Sequence, residues 1–159
     1  MIMQTVEAVV PGTAKQFIAK ELLGKMGITS YGWQDDVSGL PKSAAGSSVR
    51  SRDMIKMGML VLGEGRWNGE QLIPKEYIAR ATSPIQLSYG KSYYGYFWWV
   101  DKFKVGDKEY VRKAGRGAGG QFIFILPELD LVIVITAHNK GMGTMLHEAA
   151  AKIIPAFAG

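Results

Sequence analysis

The stretch from Tyr110 to Asn139, YVRKAGRGAGGQFIFILPELDLVIVITAHN, places the strongest constraint on how this chain can fold. It contains two apolar runs, Gln121–Leu126 and Leu131–Ala137, separated by the turn sequence of residues 127–130. Runs of this length that are rich in Val, Ile and Phe and bounded by Pro and Gly are typical of buried β-strands rather than of buried helix segments. The pattern therefore predicts a hairpin of two strongly apolar strands.

A shorter strand, Tyr110–Ala114, is predicted just before this hairpin, and it leads into a passage that is dense in glycine. Glycines at the end of a strand allow another backbone, or a ligand, to approach closely. The passage is therefore the first candidate for a functional site. Its glycines are Gly115, Gly117, Gly119 and Gly120.

Upstream of these strands the pattern is mainly helical. Met1–Val10 predicts the end of a helix, and Thr13 with Gln16 has the spacing of a capping box that begins a second helix. Gly27 is expected to end this second helix, since glycine is common just after the last helical residue. Ser51 is predicted as the N-cap of a third, largely buried helix.

The remaining segments alternate between helix, loop and strand. Pro74 predicts the first position of a helix that continues to about Thr82. Residues 83–91 are predicted as polar loop, and Tyr93–Val100, which is densely aromatic, is predicted as a strand. Gly141–Phe157 predicts a terminal helix.

The expected fold class is α+β (α/β), with an antiparallel sheet of three to four strands and covering helices. No internal repeat, low-complexity tract or linker divides the chain. We therefore expect one domain over residues 1–159. It comprises a mainly helical region (1–92), antiparallel strands (93–140) and a C-terminal helix (141–159).

Composition disfavours several classes of function. The net charge of +5 comes from dispersed Lys and Arg residues without a basic run, so no nucleic-acid site is predicted. No segment approaches the roughly 20 apolar residues that a membrane span needs. There are no cysteines, and the two histidines, His138 and His147, have no surrounding ligand pattern, so no metal site is expected.

Two sequence blocks resemble the C-terminal part of the serine β-lactamase-like hydrolases: AGRGAGGQFIFILPELDLVIV and, upstream, SSVRSRDMIKMGMLVLGEGRWNGEQLIPKEYI. This superfamily includes class C β-lactamases, penicillin-binding proteins, related esterases and nylon-oligomer hydrolases. The likeness covers nearly the whole chain but less than half of a complete member. It implies a β-lactamase/transpeptidase-like fold and a parent activity that cleaves a small-molecule ester or amide through an acyl-serine intermediate, without a cofactor.

The resembled enzymes use three motifs. Ser-x-x-Lys at a helix start supplies the nucleophile, Tyr-x-Asn or its equivalent transfers protons, and Lys-Thr-Gly or a variant completes the oxyanion hole. The one literal Ser-x-x-Lys match, Ser88 to Lys91, falls in a predicted loop without a capping pattern, and no Tyr is followed two residues later by Asn. The sequence is therefore expected to begin after both motifs, to lack an N-terminal half, and to be inactive alone.

Two registers are open for the third motif. Lys113-Ala114-Gly115 is closer to Lys-Thr-Gly by residue type. Arg116-Gly117-Ala118 fits better the A-x-G-x-G-G-Q variant of the esterase-like branch, and we prefer it because its glycines directly precede the apolar strand. The resemblance then implies that the Ala118 N–H is the oxyanion donor, that Gly117 admits the substrate backbone and that Arg116 is substrate-binding. An ordinary glycine-rich strand junction is the alternative.

Trp98 and Trp99 are also candidate substrate-binding residues, because the resemblance places them on the strand that leads to this site. Neighbouring residues of a strand point to opposite faces, so one ring would form a wall of the pocket and the other would lie in the core. The departure from Lys-Thr-Gly disfavours a β-lactam or a cell-wall peptide as substrate.

A second function class stays open at this point, in which the same scaffold is a non-catalytic binding or assembly module. In the resembled fold the last apolar strand pairs with N-terminal strands, so here its edge is expected to be unpaired and to promote self-association. No compartment is predicted. Family members are often periplasmic or secreted, but Met1–Val10 has no pattern of a signal peptide.

Overall fold

A computed structural model of the protein describes residues 2–138 and 143–158. The chain forms two compact units, Met1–Asp53 and Met54–Gly159. The organisation of all 159 residues as a single domain stays a prediction. The second unit contains both the large sheet and the glycine passage, and it therefore carries the candidate site.

The first unit combines short helices with a small hairpin, and its predicted capping box is confirmed. The Thr13 hydroxyl accepts a hydrogen bond from the Gln16 N–H at 3.2 Å, and the Gln16 side chain accepts one from the Thr13 N–H at 3.2 Å. The helix ends at Gly27, whose φ of +65° lies in the left-handed region that glycine adopts readily. The elements are α1 (Ile2–Val9), α2 (Ala14–Ile18), a π-helical turn (Ala19–Gly24), β1 (Tyr31–Trp33) and β2 (Ser47–Val49).

The helices of the second unit lie close to where the sequence predicts them. α3 spans Ser51–Leu62, α4 spans Lys75–Ala81 with Pro74 just before it, and α5 spans Gly143–Ile153, followed by a 3-10 turn at Ile154–Ala156. The predicted start of the terminal helix at Gly141 lies outside the described residues. A small hairpin, β3 (Arg66–Trp67) and β4 (Glu70–Gln71), connects α3 to α4.

The large sheet has six antiparallel strands whose spatial order equals their chain order, so it is a meander. The predicted number of three to four strands is therefore too low. The predicted apolar hairpin is confirmed, with Leu131 opposite Leu126 and Ile135 opposite Phe122. The strands are β5 (Gln86–Tyr89), β6 (Ser92–Tyr94), β7 (Trp99–Val105), β8 (Lys108–Gly117), β9 (Gln121–Leu126) and β10 (Leu131–Ile135).

Two predictions around β5 and β6 are wrong. Residues 83–91 are not all loop, since they contain β5. The aromatic segment Tyr93–Val100 is not one strand, because the chain turns between β6 and β7. The Gly95 N–H donates to the Trp98 carbonyl at 2.8 Å, and Phe97 adopts a φ of +65°, so the backbone leaves the extended conformation there.

Each face of the sheet packs against helices. On one face, buried side chains of β8, β9 and β10, with Phe124 fully buried, pack against Ala150 of α5 and Ile154 of the turn that follows it. On the other face, Ile125 of β9 packs against Val61 of α3 and Ile78 of α4. The glycine passage therefore lies at the end of a sheet that is packed on both faces.

Candidate functional site

The glycine passage forms a tight turn between β8 and β9. Gly117 pairs with Gln121, and Ala118, Gly119 and Gly120 form the loop between them. The Gly120 N–H donates to the Gly117 carbonyl at 3.2 Å, and Gly120 adopts a φ of +92°. This is a three-residue hairpin, built from a type I turn followed by a left-handed glycine.

Ala118 occupies the first central position of that turn and is exposed. Within residues 2–138 and 143–158, no hydrogen-bond partner is found for its N–H. An exposed, unpaired backbone N–H in a fixed turn is able to donate to a ligand oxygen. Ala118, the predicted oxyanion donor, is therefore an exposed residue of the turn, and its catalytic role stays a prediction.

Trp98 directly precedes β7 and Trp99 is its first residue, and the two rings pack with clusters on opposite faces of the sheet. Trp98 packs with the cluster that includes Ile125, and a Cβ built on Gly115 would lie 3.9 Å from the Trp98 ring. Trp99 packs with the cluster on the α5 face. Trp98 therefore shares a face with Gly115 and, by alternation along β8, with Gly117. Substrate contact by either ring stays a prediction.

Gln121 braces the turn from the face of Gly117. A Cβ built on Gly117 would lie 2.8 Å from the Gln121 Oε1 atom, and one on Gly119 would lie 2.9 Å from its Nε2 atom. The Gln121 Nε2 group donates to the Ala137 carbonyl at 2.6 Å. The sequence pattern gives Gln121 no predicted role, although this residue directly follows the glycine passage.

Arg116 lies on the opposite face from Gly117, and its side chain is held in an ion-pair cluster. Its guanidinium donates to Asp101 Oδ2 at 2.5 Å. Arg112 contacts the same carboxylate through Nε at 2.8 Å and Nη2 at 3.0 Å. The Arg116 guanidinium also lies 4.8 Å from the centre of the Trp99 ring. Substrate binding by Arg116 stays a prediction, and the structure shows this side chain engaged elsewhere.

The electrostatics of this cluster follow from its burial. Burial alone would raise the pKa of Asp101, but the Arg112 and Arg116 guanidinium groups hold it below its usual range. Desolvation lowers the pKa of Arg116, an effect that Asp101 opposes. His147 packs against Phe122 with ring centres 5.1 Å apart, and burial together with the two guanidinium groups lowers its pKa to about 4. His147 is therefore neutral at pH 7.

Lys113 shares the face of Gly115, two positions before it on β8, and burial lowers its pKa. A half-buried amine beside this face keeps the register Lys113-Ala114-Gly115 open. The literal Ser-x-x-Lys match does not form a helical site, because Ser88 lies on β5 and Lys91 lies in the turn after it.

Over the described ranges, no group of three His, Cys, Asp or Glu side chains could hold a metal ion. In the same part of the chain, no helix is long and apolar enough to cross a membrane.

The family model for β-lactamase matches residues 2–156. This chain belongs to the β-lactamase family. A search of curated proteins finds no match to this chain.

Similar solved structures include a Bacillus anthracis protein provisionally described as a 6-aminohexanoate-dimer hydrolase. The two share 19% identity, with a TM-score of 0.78 over 99% of this chain and 43% of the other. A penicillin-binding protein from Bacillus halodurans shares 16% identity, with a TM-score of 0.60 over 89% of this chain and 50% of that protein. A protein from Bacteroides dorei DSM 17855, provisionally described as a β-lactamase, shares 13% identity, with a TM-score of 0.66 over 94% of this chain and 54% of that protein.

This chain therefore shares its fold with these three proteins, although their sequence identity to it is low. This β-lactamase-family chain spans about half the length of the three structures, or less. Family and fold are therefore shown for the chain, while the reaction and substrates of a complete protein are matters for a proposal.

Proposed function

We propose that this chain is the C-terminal part of a serine hydrolase, which cleaves a small-molecule ester or amide through an acyl-serine intermediate. In this proposal the nucleophile motif lies outside the 159 residues. The observation that carries it is the exposed residue Ala118 in the β8–β9 turn of a β-lactamase-family chain, whose N–H has no hydrogen-bond partner among the described residues.

The chemistry requires a fixed donor where negative charge develops. When a serine attacks an acyl carbonyl, the carbonyl oxygen becomes an oxyanion, and preorganised N–H groups stabilise it. Ala118 would supply one such donor, and the N–H of the nucleophilic serine would supply the other. Trp98 and Gly115 on the adjoining face would then contact the acyl group, with the Lys113 amine on the same face.

The experiment combines this chain with the polypeptide encoded directly upstream of Met1, provided that it carries Ser-x-x-Lys. The substrates are chromogenic esters of increasing acyl length, a linear amide dimer and a chromogenic cephalosporin. We expect ester or amide turnover and serine labelling by a fluorophosphonate probe from the combination, and neither from the 159-residue chain alone.

Ala118→Pro tests the donor itself. Proline is favoured at the first central position of a type I turn, so the variant should keep the turn while removing the N–H. Loss of one oxyanion-hole donor lowers kcat by roughly 10²–10³. Ala118→Ser retains the N–H and is the matched control. If Ala118→Pro turns over normally, the register is wrong, and Lys113-Ala114-Gly115 becomes the register to test.

A further inference from the structure

The end of β8 extends beyond its backbone pairing with β7. The β7–β8 register begins with Val105 opposite Lys108 and ends with Trp99 opposite Ala114. Within the described part of the chain, residues 115–117 pair with β9 alone. The strand end that leads into the Ala118 turn therefore lacks backbone support on its β7 side.

An ion pair bridges this gap. Asp101 lies on β7 opposite Arg112, and Arg116 reaches back from beyond the last β7–β8 pair to contact the same carboxylate at 2.5 Å. The side chains of Arg112, Arg116 and Asp101 are 9%, 18% and 11% exposed, so solvent screens these contacts only weakly. Burying a carboxylate is costly unless it is paired and hydrogen-bonded, and Asp101 accepts three hydrogen bonds from guanidinium groups.

A second side chain bridges a similar gap on the opposite face. The β9–β10 register ends with Ile135 opposite Phe122, and Gln121 follows as the next residue toward the turn. Its Nε2 group donates to the carbonyl of Ala137, which lies beyond the end of β10. Gln121 thus connects the turn to the chain that follows β10 where the backbone ladder has stopped.

We propose that Asp101 and Gln121 are positioning residues that hold the β8–β9 turn from its two faces, and thereby fix the direction of the Ala118 N–H. Asp101 acts through Arg116, and Gln121 acts through Ala137. The structural part of this inference concerns the turn alone, whereas its catalytic part rests on the proposed function.

The first measurement is amide hydrogen exchange in the 159-residue chain at Gly120, whose N–H is hydrogen-bonded within the turn, and at the paired residues Gly117 and Gln121. Asp101→Asn weakens the ion pair, and Gln121→Leu removes the carboxamide. Each should accelerate exchange in the turn roughly tenfold. Glu109→Gln is the matched control, because it weakens an exposed ion pair with Lys102 between the same two strands. The control should leave exchange in the turn within about twofold of the parent.

A third variant keeps the test decisive if Asp101→Asn fails to fold. Arg116→Met removes the contact with Asp101 but leaves the Arg112–Asp101 pair in place, and it should accelerate exchange in the turn as Asp101→Asn does. If the turn exchanges no faster in Arg116→Met and Gln121→Leu than in Glu109→Gln, the positioning role is overturned.

The second measurement separates this inference from the proposed function. In the complemented enzyme, Arg116→Met and Gln121→Leu should lower kcat with little change in KM, because they disturb a contact that is made in the transition state. Faster exchange with unchanged kcat would overturn the catalytic part of the inference. Absence of turnover in the parent enzyme would overturn the proposed function, and the exchange data alone would then decide whether the two side chains hold the turn.

Discussion

Adding one methyl group should affect the stability of the protein more favourably at Gly115 than at Gly117. Both glycines lie on β8, on the same face, and neither has a positive φ. A Cβ on Gly115 meets its nearest neighbours at 3.9 Å, an ordinary van der Waals distance. A Cβ on Gly117 would lie 2.8 Å from Gln121 Oε1 and 3.3 Å from Gln121 Cβ, so the Gln121 side chain would have to move.

The magnitudes follow from these contacts. Replacing glycine by alanine at a compatible position stabilises a protein by about 0.4–1 kcal/mol, because the unfolded chain loses conformational freedom. Gly115→Ala should show this gain. In Gly117→Ala the gain is offset by loss of the Gln121–Ala137 hydrogen bond, about 0.5–1.5 kcal/mol, and by crowding across the β8–β9 pair. We therefore expect Gly117→Ala to be less stable than Gly115→Ala by about 1–2 kcal/mol.

Thermal unfolding of the two variants side by side measures this difference. In a domain of this size 1 kcal/mol shifts Tm by roughly 2–4 °C, so the Tm values should differ by several degrees. Equal Tm values for the two variants would show that Gln121 does not occupy the space beside Gly117. The proposed role of Gln121 in holding the turn would then be wrong. A larger residue such as valine at Gly117 should cost more stability still, so it would affect the fold as well as the site.

Three further predictions concern other parts of the chain. Because burial and two guanidinium groups lower the pKa of His147 to about 4, the folded state binds fewer protons than the unfolded state between that pH and about 6.5. His147 should therefore destabilise the protein as pH falls through this window. In unfolding titrations from pH 4 to 7, His147→Phe should remove this pH dependence, whereas His138→Gln, at an exposed position, should leave it in place. Phe97 is 54% exposed and has a φ of +65°, a left-handed conformation that strains a bulky residue. Phe97→Gly should therefore keep or raise Tm, whereas Phe97→Val should lower it. A lower Tm in the glycine variant would contradict this backbone strain. β10 ends the strand order with one edge unpaired among the described strands, so sedimentation at micromolar concentration should show self-association, and a stable monomer would count against it.

Local patterns in the sequence were sufficient for much of this fold. The Thr13 capping box and the two apolar strands around residues 127–130 depend on neighbouring residues, and both are present in the structure. The break between β6 and β7 could not be predicted in the same way. Aromatic residues favour strands, and nothing local shows that Phe97 adopts a left-handed conformation.

The position of the candidate site could be predicted from the sequence, but the side-chain contacts that hold its turn could not. The spacing of glycines locates the turn at Ala118, yet it does not show to which face Arg116 points. That direction follows only from the register of β8 with β7 and β9. One signal was available, since the two-residue turn at Gly106 and Asp107 fixes a register that puts Asp101 opposite Arg112. Extending this register along both strands predicts the Asp101–Arg112 pair from the sequence.

The meander order of the large sheet also bears on how the protein is made. Each of its strands pairs with the strand synthesised immediately before it, so every step of sheet assembly closes a short loop. Short loops cost little chain entropy, and proteins rich in local contacts fold quickly. Ala150 and Ile154, which cover one face, come last in this order. That face of the nascent sheet therefore stays uncovered until these residues have been synthesised, and its apolar side chains are open to contacts with other chains during that interval.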